Sequence, residues 1–549
     1  NTILAPLREL GEYEDIQKQL NTQQGKVSIS GCVDSQKLHM VYGLTEKYDV
    51  KLIVTYSDMK AKELLDDCKL YCRESYYFPA KDLIFYQADI HSNQLIKERV
   101  AVLRKLLEGE PITIVTTFSA LMAHQLPLSV WQENVIEIEE GGIAEEAAIA
   151  RQLVKMGYEK NYQVEAPGQF SVRGGIVDIF DLTRENPVRI ELWGDEVESI
   201  RSFDIESQRS IEKLAEVSIY PATELILSKK ALEDGLARME KDCKKSAAFF
   251  REETKPEEAH RLEQAVAELK EQVTQFQSFV NLESYIGYFY EETQSLVDFV
   301  ADRKLCICLD EPARIEEHAN AVELEFRESM STRAEKGYIL PEQMNVLYGA
   351  REIYARLDKN RLLALSTMEY KGFPVKFQNR YAVNARNVSS YNNSFPELVK
   401  DLNHYKKNGY RVLLVSASST RAKRLATDLM DEGLNAFYSD NSQRELQPGE
   451  IMTFYGNVLK GFEYPMLKFV VISESDIFGK QNRKKKKKKV YEGQKIRDFS
   501  DLKIGDYVVH ENHGLGIYKG IEKVEVDKVV KDYIKIEYRD GGNLYILAT

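Results

Sequence analysis

Residues 169–209 read QFSVRGGIVDIFDLTRENPVRIELWGDEVESIRSFDIESQR, the clearest period-two patterning in the chain. Phe170 and Val172 alternate with Ser171 and Arg173, Gly174 and Gly175 follow, and residues 176–180 run apolar. This pattern predicts a hairpin closed by a two-residue turn. A second hairpin follows, turning at Gly194 and Asp195. Its first strand puts Val188, Ile190 and Leu192 on one face and Arg189, Glu191 and Trp193 on the other. One face of a small sheet therefore carries Arg173, Arg189 and Trp193. Arg and Trp dominate binding hot spots, so this face suits a partner surface. Packing of Trp193 under a neighbouring domain satisfies the same pattern.

The chain has 549 residues, too many for one core, and the length predicts three to five domains. It is 43% hydrophobic and 30% charged, in the ordinary range for globular chains, and no apolar run reaches the length of a membrane span. The opening NTILAPLREL lacks the basic and apolar regions of a signal peptide, so the expected location is the cytoplasm. A net charge of −12 restricts nucleic-acid contact to local basic patches. Cys32, Cys68, Cys72, Cys243, Cys306 and Cys308 are too sparse for a disulfide framework and have no paired CxxC spacing, so reduced thiols and no metal site are expected.

Residues 1–134 alternate helical and strand patterns: helices over 7–20, 34–48 and 58–72, strands over 26–30, 51–56 and 112–117. That order predicts an α/β domain on a parallel sheet. Its first strand leads into Gly31-Cys32-Val33-Asp34-Ser35-Gln36-Lys37-Leu38, in the place of a phosphate-binding loop GxxxxGK[ST]. Gly31 and Lys37 fit. Gln36 replaces the glycine that lets amides close on phosphate, and Leu38 replaces the magnesium-binding hydroxyl, so a degenerate loop is expected. Asp310-Glu311-Pro312-Ala313, after a strand at 305–309, has the outline of a DExH box without its histidine. With no hydroxyl partner for magnesium, Asp310 and Glu311 read better as an N-terminal cap for a helix over 313–321.

A helical region over 226–297 breaks near Pro256, and Leu262, Val266, Leu269, Val273, Phe276 and Val280 form one apolar stripe suited to core packing. Residues 360–393 are poorly patterned. A further α/β unit has strand candidates at 410–416 and 468–473 and a helix at 420–430. Residues 483–489 are seven consecutive cations, expected as a solvated linker with non-specific phosphate contact as the alternative. From Asp498 short strands with glycine turns predict a small β-barrel. His510 and His513 sit in HENH, which lacks the spacing of a zinc helix, and read as structural.

Three segments carry a family resemblance. FSVRGGIVDIF and IESQR resemble the inserted domain shared by UvrB and the transcription-repair coupling factors of the Mfd family, through which both engage UvrA. The resemblance implies UvrA contact at Arg173, Arg189 and Trp193, with Trp in place of Phe as the apolar anchor. NVLKGFEYPMLKFVVISESDIFG resembles the third domain of that family. VVH, HGLGIY and DYIKIEY resemble the RNA polymerase interacting domain of Mfd and of CarD-type regulators. There the strand after HGLG adds to the polymerase β subunit, which implies contact near Val524. Glu522, Val524 and Val526 alternate suitably for an edge strand.

The resemblance covers nearly the whole chain and implies the N-terminal half of the Mfd family. The expected fold is multidomain α/β: a degenerate helicase-like parallel-sheet domain (1–134 and 221–350) interrupted by the inserted β-rich domain (135–220). A connector (351–393), an α/β third domain (394–480), a basic linker (481–497) and a polymerase-binding barrel (498–549) follow. The chain is expected to be a fragment, because no GxxxxGK[ST] occurs in it. ATP, magnesium and most contact with double-stranded DNA then belong to a motor outside the sequence, with no cofactor, metal or catalytic residue here. The rival reading is a UvrB-like ATPase and DNA clamp. Gln36, Leu38 and the lack of a Tyr-rich hairpin insertion between Tyr76 and His91 speak against it.

Overall fold

Seven strands, all paired in parallel, carry the first domain. Their order is Asn379–Ala382, Lys26–Ser30, Leu362–Leu365, Leu305–Asp310, Val50–Thr55, Ile112–Thr117 and Ser75–Phe78. The computed structural model describes residues 1–81, 93–275, 282–479, 502–510, 514–526, 529–539 and 541–547. The basic run 483–489, His513, Phe276, Val280 and most of the segment between Tyr76 and His91 lie outside the described residues.

Residues 351–393 are not the expected connector. They supply two strands of the first sheet, Leu362–Leu365 and Asn379–Ala382. All four residues of Leu362–Leu365 are buried between neighbouring strands, and a strand covered on both faces has no alternation for sequence to display. The helix expected over 7–20 is a 3-10 turn, Ala5–Glu9, followed by the helix Tyr13–Leu20, with Gly11 between them. In the helical region Pro256 opens the helix Pro256–Gln275 at its first position, where a missing N–H costs nothing. That helix packs along Lys229–Glu252, with Leu262, Val266, Leu269 and Val273 buried in the core as the stripe predicts.

The inserted domain leaves and rejoins the first through two antiparallel strands, Ile136–Glu139 and Glu216–Ile219. Between them lies a six-stranded sheet in the order Ser210–Leu214, Glu196–Phe203, Val188–Trp193, Ile176–Ile179, Gln169–Arg173 and Glu159–Lys160. Both predicted hairpins are present. Gly174 and Gly175 turn the first with φ of 53° and 85°, a conformation other residues reach only with strain. Val177, Ile179, Val188, Ile190, Val197 and Ile200 fill a core against Ile149 and Leu153 of the helix Glu146–Lys155.

The third domain is a six-stranded mixed sheet, with Arg411–Ser416 between Phe469–Ser473 and Ile451–Tyr455. Its edge strand, Arg386–Asn387, also comes from the expected connector. One continuous apolar cluster joins Leu7, Ile29, Leu38 and Cys308 of the first domain to Met452, Phe462, Phe469 and Val471 of the third. At the C-terminal end the expected barrel is a four-stranded antiparallel sheet: Tyr507–His510, Gly514–Val526, Val529–Glu537 and Asn543–Leu547. Its first and last strands do not pair among the described residues. No described helix is long and apolar enough to cross a membrane.

Candidate docking faces and the nucleotide-loop position

Register fixes which side chains of the inserted sheet share a face. Ser171 pairs with Asp178, Asp178 with Arg189 and Arg189 with Arg201, while Arg173 pairs with Ile176 and Ile176 with Glu191. Arg173, Asp178, Arg189 and Trp193 therefore point away from the apolar core. Trp193 is 80% exposed, which excludes packing under a neighbouring domain. Arg173 is partly exposed and stacks over Tyr162, its guanidinium 5.7 Å from the ring centroid. Tyr162 is itself 84% exposed.

Arg189 lies on the expected face and is held there by several partners. It donates from Nε to Asp178 Oδ1 (2.8 Å) and from Nη2 to Asp178 Oδ2 (2.9 Å) and Gln208 Oε1 (2.9 Å). It also lies 4.3 Å over Phe203. The hydrogen bond to Asp178 holds the Arg189 pKa above its ordinary value. Arg173 Nη2 reaches the same carboxylate at 3.4 Å. Asp178 is thus shared by both arginines, and an acid in the otherwise apolar run 176–180 was the sequence signal for it.

At the C-terminal sheet, Gly514–Val526 pairs with Tyr507–His510 only through Gly514 to Ile517, and backbone bonds to Gly505 and Asp506 extend this to Tyr518. From Lys519 onward the strand has one neighbour among the described residues, Val529–Glu537, and Val524 lies in register with Lys531. The segment holding Glu522, Val524 and Val526 is therefore an edge. Glu522 Oε1 accepts from Lys535 Nζ at 3.1 Å. The side chains of Val524 and Val526 lie outside the described residues.

The nucleotide-loop position is filled by protein. Lys37 donates from Nζ to Asp310 Oδ1 at 2.8 Å and to Glu311 Oε1 at 2.7 Å, and its side chain is 5% exposed. Burial alone would lower the Lys37 pKa; the two carboxylates outweigh it and hold the pKa above the ordinary ammonium range. Asp310 Oδ2 also accepts from Thr55 Oγ1, and Glu311 Oε1 from the backbone and hydroxyl of Thr367. This corrects the capping expectation. Glu311 does stand at the head of the helix Pro312–Glu335, but its side chain makes no cap, and Asp310 ends a strand.

The third domain closes the rest of the crevice. Gln36 accepts from Val33 N with Oε1 and donates from Nε2 to Tyr464 Oη (2.9 Å). The same hydroxyl meets His39 Nδ1 at 2.7 Å, and burial pushes the His39 pKa down to about 4. Lys460 bonds Ser35 Oγ through its backbone and Asp34 through Nζ, and Leu459 N donates to Asp67 Oδ1. A Cβ on Gly31 would meet the Val383 carbonyl oxygen at 2.0 Å. Tyr464, Lys460 and Asp67 were beyond sequence reasoning, since each meets the loop only through tertiary packing.

Residues 136–225 match the UvrB interaction domain family, and residues 502–548 match the CarD-like/TRCF RID domain family. The chain is 34% identical over 497 residues to the transcription-repair-coupling factor of Bacillus subtilis (strain 168), covering 90% of this chain and 42% of that protein. The chain is similar to transcription-repair-coupling factors over most of its own length. A second relative, the transcription-repair-coupling factor of Staphylococcus haemolyticus (strain JCSC1435), is 28% identical over 528 residues, covering 95% of this chain and 44% of that protein. The chain thus spans less than half the length of these curated relatives. The two matched families fall on the inserted sheet with Arg173, Arg189 and Trp193 and on the small sheet with the edge at 519–526.

Proposed function

We propose that this chain is the coupling module of transcription-coupled nucleotide excision repair: its C-terminal edge strand docks on the β subunit of a stalled RNA polymerase, and its inserted sheet recruits UvrA. The observation that carries the reading is Trp193, exposed on the same outward face as Arg173 and Arg189, the other face being packed in the core. An unpaired strand edge supports the polymerase contact, because main-chain groups there can accept a further strand. This role belongs in the cytoplasm. Contact with double-stranded DNA is assigned to a motor carried elsewhere in the family's longer chains.

The residues at the nucleotide-loop position do not fit ATP and magnesium. Lys37 is committed to Asp310 and Glu311, Gln36 and Tyr464 stand where amides would close on phosphate, and Leu38 supplies no hydroxyl. The chain therefore acts by binding, and no hydrolytic step is assigned to it. The test is a pull-down of the chain with purified UvrA and, separately, a polymerase β fragment. Capture of both is expected, and capture of neither overturns the reading.

A further inference from the structure

Asp178 is an odd residue to find where it is. Its side chain is 2% exposed although it lies on the outward face of the sheet, and among the described residues its only side-chain donors are Arg173 and Arg189. Ser171, directly opposite in the next strand, is buried with a hydroxyl that makes no hydrogen bond. Stability alone does not explain the arrangement, because a buried ion pair is commonly matched or bettered by apolar residues of similar size. What the carboxylate does is geometric. It takes the Nε and Nη2 edge of Arg189 in a two-pronged grip, while Gln208 and the Phe203 ring hold the same guanidinium from other sides. Nη1 of Arg189 has no acceptor among the described residues. The same carboxylate draws in Arg173, whose guanidinium lies over Tyr162.

We infer that Asp178 is a positioning residue for the docking face: it fixes Arg173 and Arg189 in one bound-ready arrangement beside Trp193, and the partner completes the cluster with an acidic side chain. The inference rests on the docking reading given above. Charge supports it, since two guanidinium groups around one carboxylate leave one positive charge facing outward. Entropy supports it as well. A long side chain held in place before binding loses less freedom on binding, so the contact is stronger for the same atoms. Arg173 and Arg189 do not bond to each other, and because Arg189→Lys keeps the like-charge repulsion between them, coupling seen in a cycle with that variant reports on the shared grip of Asp178.

The test is calorimetric titration of purified UvrA with the full chain carrying Asp178→Asn, Arg189→Lys, Arg173→Ala, the pairwise combinations, and Trp193→Ala, each below its unfolding midpoint. Arg189→Lys keeps the charge and gives up the two-pronged geometry. Asp178→Asn and Arg189→Lys should each weaken binding about tenfold or more, and combining them should add little beyond the larger loss. Wild-type affinity in either variant, or losses that simply add, would overturn the positioning role. If Asp178→Asn fails to fold, Arg173→Ala with Arg189→Lys decides: non-additive losses support the proposal and additive losses remove it. Full-strength binding by Trp193→Ala would instead remove the docking reading itself.

Discussion

Lys37 Nζ stands 2.8 Å from Asp310 Oδ1, joining residues 273 apart in the chain, and the ammonium that would face a phosphate faces a carboxylate instead. Removing it leaves Asp310 and Glu311 together without a cation in a largely water-excluded site. Lys37→Ala is expected to cost about 3 to 5 kcal/mol of folding stability, read as a lowered urea midpoint. An unchanged midpoint would show that the triad is not holding the sheet and helix together.

The same geometry predicts no ATP turnover. Restoring the loop consensus with Gln36→Gly and Leu38→Thr should not create it, because Tyr464 and the 459–460 segment still fill the crevice. Phosphate release above background by wild-type chain, abolished by Lys37→Ala in protein shown to be folded, would contradict this.

Trp193→Ala and Arg173→Ala should each cost about 2 kcal/mol or more of UvrA binding, over tenfold in affinity. The unfolding midpoint of Trp193→Ala should barely move, since the ring is exposed. A packed tryptophan would behave oppositely, losing about 3 to 5 kcal/mol of stability. Calorimetry and thermal unfolding on one preparation separate the two.

Val524→Arg should abolish binding to the polymerase β subunit and leave UvrA binding intact, because the two faces lie on different sheets. Equal loss of both partners would mean that the small sheet has unfolded or that the edge is not the contact.

Burial pushes the Asp67 carboxyl from 3.8 to about 7, against hydrogen bonds from Leu459 N and Ser35 Oγ and the nearby Lys60, and with Asp66 adding to the rise. Between those two values the folded state keeps a proton that the unfolded state has released. This group's contribution is therefore greatest at the acid end and is lost as pH rises through the folded value. Asp67→Asn should gain on wild type across that window, by at most about 1.4 kcal/mol per pH unit. A difference in urea midpoint that stays flat with pH would show that Asp67 does not titrate there.

The legible parts of the chain were those whose neighbours are close in sequence. Both hairpins of the inserted sheet follow from alternation and glycine-containing turns, and the same count puts Trp193 on the outward face, where only the fold decides between exposure and packing under a neighbour. Leu362–Leu365 was not legible, because an apolar run buried on two sides has no period. Neither was the partner of Lys37, since strand order, not spacing, brings Asp310 to it. Asp178 was not legible either: it sits in an apolar run, and its pairing with Arg189 depends on the long connection at 180–187, whose length does not set a register.

Ile136 and Ile219 are register partners in the paired strands that carry the inserted domain. Backbone partners in an antiparallel pair lie only about 5 Å apart, so to the first domain everything between them is one closed loop. The inserted sheet is accordingly a cassette in its topology. Two further ties hold it: Leu182 is buried in the first domain's core, and Arg104 of that domain bonds Thr183. Strain at the tip of the inserted sheet therefore reaches the parallel sheet through the Ile136 and Ile219 strand pair and through these two ties.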